Sequence, residues 1–227
     1  MSRRARLILW IAGAVLAALV VGVAAVYRAV RYTPEFYTHA LATDPAALAA
    51  GRDRMLDRAA ALASNIQKGG RWEAIFTTDE INGWLALELQ RSYPDALPAE
   101  FRDVRVAIQS QQIMLACRYS HSSANTVLWV VLEPYIAEPN VLALRIRKLR
   151  AGRLPLPMSR VLKALSQAAE HSALPLQWRQ AEGDPVALVG LPVDDNDHSG
   201  AVNIDTLELR QGELYLAGSA RRRAANR

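Results

Sequence analysis

The feature that most constrains this chain is a 21-residue apolar segment near its N-terminus, Leu7–Tyr27, with the sequence LILWIAGAVLAALVVGVAAVY. It contains no charged residue and no proline. About 20 apolar residues in a helix are needed to cross a bilayer core of roughly 30 Å. A chain inside lipid must satisfy its own backbone hydrogen bonds, which favours a helix. Trp10 and Tyr27 lie near the two ends, where amphipathic rings prefer the membrane interface. The sequence therefore predicts a transmembrane anchor over residues 7–27.

The flanking charges predict the orientation of this anchor. Residues 1–6 carry three arginines, and Arg28 and Arg31 follow the apolar segment. Together with the amino terminus, this bias favours a cytoplasmic N-terminus and a domain on the periplasmic or extracytoplasmic side of the cell membrane. The alternative is a cleaved signal peptide with Val23 and Ala25 flanking the cut. Signal peptides usually have a shorter apolar core, of about 7 to 15 residues.

The charge of the chain argues against a nucleic-acid partner. Residues 1–31 hold five arginines and no acidic residue, which leaves 22 basic and 22 acidic residues in the remaining 196 of 227. Four of those basic residues fall in the last seven positions, 221–227, so the part between is mildly acidic. A basic face for phosphates is not supported. The basic tail, residues 220–227, is either solvated or in contact with anionic headgroups.

The remaining sequence predicts one α+β domain over residues 44–219, joined to the anchor by a juxtamembrane linker at 28–43. Asp44 followed by Pro45 predicts a helix start, and the helix is expected to run to Lys68. Thr77 and Glu80 have capping-box spacing before a second helix. Helical spacing predicts a third helix at 157–172. Alternation and turn signals predict strands at 72–76, 104–108, 113–119, 126–132, 141–149, 174–180, 185–191, 201–209 and 213–218, with Pro134 interrupting the block.

Two short motifs resemble those of known bacterial envelope proteins. The helix start Phe76-Thr77-Thr78-Asp79-Glu80-Ile81-Asn82-Gly83-Trp84-Leu85 and the corner Ala151-Gly152-Arg153-Leu154-Pro155-Leu156-Pro157 are similar to those of YpmS-like and YceB-like proteins. The resemblance covers roughly residues 72–218. It implies a membrane anchor and an antiparallel sheet wrapped around a helix, similar to tubular lipid-binding (TULIP-like) modules. It brings no catalytic residues. The chain departs from YceB-like lipoproteins in lacking a lipobox cysteine, so its anchor would be the helix itself.

No motif predicts catalysis, and we expect no cofactor. Residues 194–200, DDNDHSG, match the early positions of a calcium loop, but the twelfth position is Thr206 instead of Glu, which favours an acidic surface loop. The four histidines are scattered, without metal-ligand spacing. Cys117, the single cysteine, lies in an alternating segment and is expected to be a buried structural thiol.

The segment TVLWVVL, residues 126–132, is apolar on both faces of its predicted strand. Such a strand is either covered on both sides or has one face lining an apolar groove. The anchor and the resemblance favour a domain that binds lipid or another apolar ligand near the bilayer. The residues predicted to line the groove are Trp84, Leu128, Val130, Leu132, Leu156 and Leu165. The alternative function is a scaffold that docks another envelope protein through the segment Tyr32–Tyr37 or through its helices.

Overall fold

The computed structural model describes residues 18–94, 96–121, 124–159, 162, 176–190 and 202–220. Within these residues the protein is α+β, with two antiparallel sheets and helices that lie mainly in the N-terminal part of the chain. This confirms the predicted α+β class with antiparallel sheets.

The helices follow the predicted capping signals. Asp44 caps its helix by accepting a hydrogen bond from the Ala46 amide at 3.4 Å. The capping box is present, with Thr77 and Glu80 each accepting from the other's backbone amide. The helices are α1 (residues 18–30), α2 (Glu35–Leu41), α3 (Pro45–Lys68), α4 (Thr78–Leu87) and α5 (Leu89–Ser92).

The larger sheet has seven strands, ordered β2-β3-β4-β5-β8-β7, and β6 pairs with β5. Its strands are β2 (Phe101–Gln109), β3 (Gln112–His121), β4 (Ala124–Glu138), β5 (Val141–Ala151), β6 (Leu154–Pro155), β7 (Leu176–Ala181) and β8 (Asp184–Gly190). The expected interruption at Pro134 is wrong, because β4 continues through it. The pairing with β3 ends at Leu132, so β4 is paired on one side only beyond that point and tolerates a residue without an N–H.

The smaller sheet has the order β1-β10-β9, from β1 (Gly70–Thr77), β9 (Val202–Arg210) and β10 (Glu213–Ala220). Its β9–β10 turn lies at the end of β2, where the Gly212 amide donates to the Ile108 carbonyl at 3.0 Å. The Thr78 amide donates to the Gly212 carbonyl at 2.8 Å. The turn therefore connects the smaller sheet to both α4 and the larger sheet.

The segment assigned from sequence as a linker, residues 28–43, includes helix α2. Tyr37 of α2 is fully buried and packs with Ala116 and Val127 of the larger sheet. Its hydroxyl donates to the Asp103 carbonyl at 2.7 Å. The segment is therefore packed into the domain, and the Tyr37 ring is not on the surface that the scaffold alternative requires.

Several predicted segments lie outside the described residues. They include residues 7–17 of the predicted anchor, the acidic loop at 194–200 and residues 221–227 of the basic tail. Of the helix predicted at 157–172, the structure describes residues 158, 159 and 162 as helical.

Candidate functional site

The predicted groove residues of β4 project to one face of the larger sheet. β4 is a central strand, paired with β3 on one side and β5 on the other. Residues directly opposite each other in antiparallel strands project to the same face, so the register shows which side chains share a surface. Leu115, Val130 and Leu149 form one such row across β3, β4 and β5.

Following these rows across the sheet gives a continuous surface without a charged side chain, which we call the apolar face. It extends from the edge strand β2 to the opposite edge strand β7. By register and alternation its members are Val106, Ile108, Ile113, Leu115, Cys117, Leu128, Val130, Leu132, Pro134, Ile136, Leu142, Leu144, Ile146, Leu149, Ala151, Leu176, Trp178, Ala187 and Val189.

Most of the apolar face is only half-buried. Val106, Ile108, Ile146 and Ala187 are buried, but Leu128, Val130, Leu132 and most of their neighbours on β3 and β5 keep part of their surface exposed. A core-facing sheet surface of this composition would normally be buried throughout. The partial exposure identifies this face as a candidate binding surface.

The opposite face of the same strands differs in composition. Val127 and Val131 of β4 are buried there, and Val127 packs beside Tyr37. This face also carries charged side chains, with Arg118 opposite Val127, Lys148 opposite Val131 and Arg145 opposite Glu133. Of the two apolar sides of TVLWVVL, one therefore packs under α2 and the other belongs to the apolar face.

The other three predicted groove residues are placed differently. Leu156 is half-buried beside the apolar face, where its amide donates to the Leu149 carbonyl at 3.1 Å. Trp84 lies on α4, which packs on the edge strand β2, and its ring contacts Tyr93 at a centroid distance of 6.1 Å. Trp84 is thus placed on the helix beside the edge strand β2, whereas Leu128, Val130 and Leu132 lie on the central strand β4. Leu165 lies outside the described residues.

Helix α1 is joined directly to the domain at its C-terminal end. The Ala29 carbonyl accepts from the Arg153 amide at 2.8 Å, and the Val30 carbonyl accepts from the Thr126 hydroxyl at 2.7 Å. Gly152 has φ +58°, and a Cβ there would lie 2.2 Å from the Ala29 oxygen. Only glycine fits this turn, both in conformation and in space. The last carbonyls of α1 are thus satisfied by the domain, which fixes the direction in which α1 leaves it.

Aromatic and basic side chains surround this junction. The Arg31 guanidinium lies 4.5 Å from the centroid of the Tyr27 ring, and that of Arg153 lies 4.4 Å from the centroid of the Tyr32 ring. The Trp129 indole donates to the Gly152 carbonyl at 2.7 Å. Rings and arginines of this kind are typical of a membrane interface.

The described part of α1 is apolar and exposed. Leu19, Val20, Val21, Val23 and Val26 are each more than half exposed. Within the described residues, none of the helices is both long enough and apolar enough to cross a membrane.

Cys117 on the apolar face and Tyr37 on the opposite face have little reactive character. Cys117 is half-buried, and burial raises the pKa of its thiol to about 11, which keeps it protonated and weakly nucleophilic. Burial and the nearby Asp103 carboxylate raise the pKa of Tyr37 to about 12. In the part of the chain that is described, no cluster of three or more His, Cys, Asp or Glu side chains could hold a metal ion.

Sequence reasoning missed most of the apolar face. It identified the β4 residues because both faces of TVLWVVL are apolar, and it predicted the alternation on β3 and β5. It did not combine Leu115, Leu149 and Val189 into one surface, although each occupies the apolar side of its own alternating strand. The alternation of apolar residues was visible in each strand, but the register between strands determines which apolar sides share one face.

Comparison with known proteins identifies no relative: no family model, no curated protein and no solved structure matches the chain.

Proposed function

We propose that this protein is anchored in the cell membrane through residues 7–27 and binds lipid acyl chains, or an apolar ligand of similar chemistry, on the apolar face of its larger sheet. The observation that carries the proposal is the uncharged, half-exposed surface that crosses the sheet from β2 to β7. Transfer of an alkyl chain from water to such a surface is favourable by about 0.8 kcal/mol for each buried CH₂ group. No catalytic group is needed, so the proposed activity is binding.

The α1 junction supports the location near a bilayer. The exposed leucine and valines of α1 continue into the apolar segment that begins at Leu7. Because the α1 carbonyls are bonded to Thr126 and Arg153, the domain is attached closely to the end of the anchor. The resemblance to YpmS-like and YceB-like proteins favours the same arrangement, with the N-terminus cytoplasmic and the domain extracytoplasmic.

Photocrosslinking from the two faces of β5 tests the binding surface. Leu149 belongs to the apolar face, and Lys148 is the exposed neighbour that projects to the other face. We would place the photoreactive residue p-benzoylphenylalanine at one position or the other in the full-length chain and irradiate intact membranes. Mass spectrometry of the purified chain should show a lipid adduct at position 149 and little or none at position 148.

Three results would contradict this proposal. An adduct joining position 149 to residues 160–175 of the same chain would show that the chain itself covers the apolar face. Equal lipid labelling at positions 148 and 149 would show only general proximity to the bilayer. Recovery of the full-length chain from the cytosol, without membrane association, would contradict the proposed location in the membrane.

A further inference from the structure

A cavity that is separate from the apolar face lies between α4–α5 and the beginning of β2. Its volume is about 370 Å³, within the usual range for small-molecule sites. One wall is formed by apolar side chains of the helices and the following loop, Leu85, Ala86, Leu89 and Leu97. The other wall is the strand segment Arg102–Arg105. The cavity thus has an apolar side and a side that carries charge.

Arg105 is the unusual residue of this cavity. It is only 7% exposed. One guanidinium nitrogen, Nη1, donates to the Val104 carbonyl at 2.8 Å, whereas the buried Nε has no acceptor. Among the described residues, no carboxylate forms an ion pair with Arg105. Asp103 also lines the cavity, but its carboxylate pairs with Arg118 at 3.1 Å. A buried, unpaired cation is costly, and an anion beside it would reduce that cost.

The backbone around Arg105 is distorted, and this distortion affects the direction of the Arg105 side chain. The register of β2 against β3 shifts between Arg102 and Arg105, and Asp103 adopts φ 54°, a left-handed conformation that is strained for aspartate. The Tyr37 hydroxyl binds the Asp103 carbonyl and so supports this conformation. Bulges of this type redirect a side chain and are frequent beside binding sites.

We propose that this cavity binds a small amphiphile with one anionic group, a carboxylate or a phosphate, on a short alkyl chain. The Arg105 guanidinium binds the anion through charge-assisted hydrogen bonds, for which its planar group is well suited. Leu85, Leu89 and Leu97 contact the alkyl chain. The site shares no residue with the apolar face and does not depend on the function proposed for that face.

Calorimetric titration of the full-length chain in phosphatidylcholine nanodiscs tests this proposal, with empty nanodiscs as the correction for partitioning. The probes are hexanoate, hexyl phosphate, 1-hexanol and inorganic phosphate. We expect saturable binding of hexanoate or hexyl phosphate, and much weaker binding of 1-hexanol and inorganic phosphate. If inorganic phosphate binds as tightly as hexyl phosphate, the alkyl chain contributes nothing and the assignment is overturned. Absence of binding by both alkyl anions also overturns it.

Variants locate the binding in the cavity. Arg105→Met should weaken binding of the alkyl anion about tenfold or more, because a charge-assisted hydrogen bond is lost. Arg105→Lys should retain part of the affinity, and the exposed Arg179→Met should retain all of it. Ala86→Phe fills the cavity while leaving Arg105 in place, and it should abolish binding. Thermal unfolding verifies that each variant is folded. Unchanged affinity in folded Arg105→Met or folded Ala86→Phe would overturn the proposal.

Discussion

Two regions of the domain are stabilised by polar side chains that differ in their exposure to solvent. The first, the α4 junction, is the packing of α4 against α3 and β2. Here the side chains of Glu80 and Asn82 are almost fully buried, at 1% and 5% exposure. The Asn82 side chain donates to the Val106 carbonyl at 2.9 Å and accepts from the Val106 amide at 2.8 Å. It thereby pairs with the free edge of β2 as a neighbouring strand would.

The second region, the ion-pair surface, lies on β4, β5, β8 and the β7–β8 turn and consists of Arg145, Arg147, Glu133, Glu182 and Asp184. Arg147 contacts Asp184 at 2.5 Å and Glu133 at 3.1 Å, and Arg145 contacts Glu182 at 2.8 Å. Hydrogen bonds to Asp184 and the charge of Glu133 raise the pKa of Arg147. Arg147 and Glu182 are exposed and the other three side chains are half-buried, so water and salt screen much of this charge.

This difference in burial predicts which substitutions will lower the free energy of unfolding most. At the α4 junction the Glu80 and Asn82 side chains are bonded to protein partners and shielded from water, so removal of either leaves its buried partner groups unsatisfied. At the ion-pair surface Glu133 and Asp184 each contact both arginines and are partly exposed to solvent, so removal of one carboxylate is partly compensated.

The largest effect is expected at the helix crossing of the α4 junction. A Cβ on Gly83 would lie 2.4 Å from the Arg52 nitrogen and 2.5 Å from the Leu48 oxygen, both backbone atoms of α3. Gly83→Ala should therefore force α3 and α4 apart and lower the free energy of unfolding by about 3 kcal/mol or more. Denaturant unfolding followed by circular dichroism measures this. The control is Gly22→Ala, where nothing lies within 4 Å. Equal stability of the two variants would show that the helices do not approach so closely.

Asn82→Ala should be next in size, with a loss of about 2–3 kcal/mol in the free energy of unfolding. Both backbone groups of Val106 that Asn82 satisfies would be left buried. Asn140 offers a matched comparison, because its side chain makes the same kind of pair with the Val202 carbonyl and the Ile204 amide but is only half-buried. Asn140 has φ 62°, a conformation that glycine adopts without strain, so Asn140→Gly is the variant to compare, and it should cost clearly less. Equal losses in the two variants would show that burial does not determine the effect.

The sequence predicted the local parts of the α4 junction but not its long-range contacts. The Thr77–Glu80 capping box was visible because its partners are three residues apart. The contact of Asn82 with Val106 joins residues 24 apart, and nothing in the local sequence specifies which strand edge lies beside α4. The strand periods were also predictable, whereas the apolar face required the register that places Leu115, Val130 and Leu149 in one row. The unpaired state of Arg105 depends equally on packing between distant segments.

The contribution of a buried charge at the α4 junction can be tested by varying the pH, because Glu80 is ionisable. Burial alone would raise the pKa of Glu80, but hydrogen bonds from the Thr77 amide and from Arg58 outweigh it and lower the pKa below its ordinary value of 4.5. The ionised form therefore stabilises the fold above about pH 4.5, and this contribution is lost as the pH falls through the lowered pKa of the folded state. Glu80→Gln preserves the capping box but removes the charge, and it should cost about 2 kcal/mol at pH 7.

The measurement is the difference in unfolding temperature between wild-type and Glu80→Gln chains as the pH is lowered from 7. We expect the difference to shrink as Glu80 becomes protonated in the folded wild-type chain. The exposed Glu138→Gln variant serves as the control and should track wild type throughout. A difference that stays constant with pH would assign the loss to packing and not to charge.

The smallest effect is expected at the ion-pair surface. Asp184→Asn removes the carboxylate that Arg147 and Arg145 share, at 2.5 and 3.6 Å, but both arginines keep contacts with Glu133. Because these partners remain and solvent screens the charges, the free energy of unfolding should fall by less than about 1 kcal/mol. The loss should also diminish as salt is added, unlike the loss in Asn82→Ala. A loss in Asp184→Asn as large as that in Asn82→Ala, and insensitive to salt, would show that this surface is as critical as the α4 junction and would break the comparison.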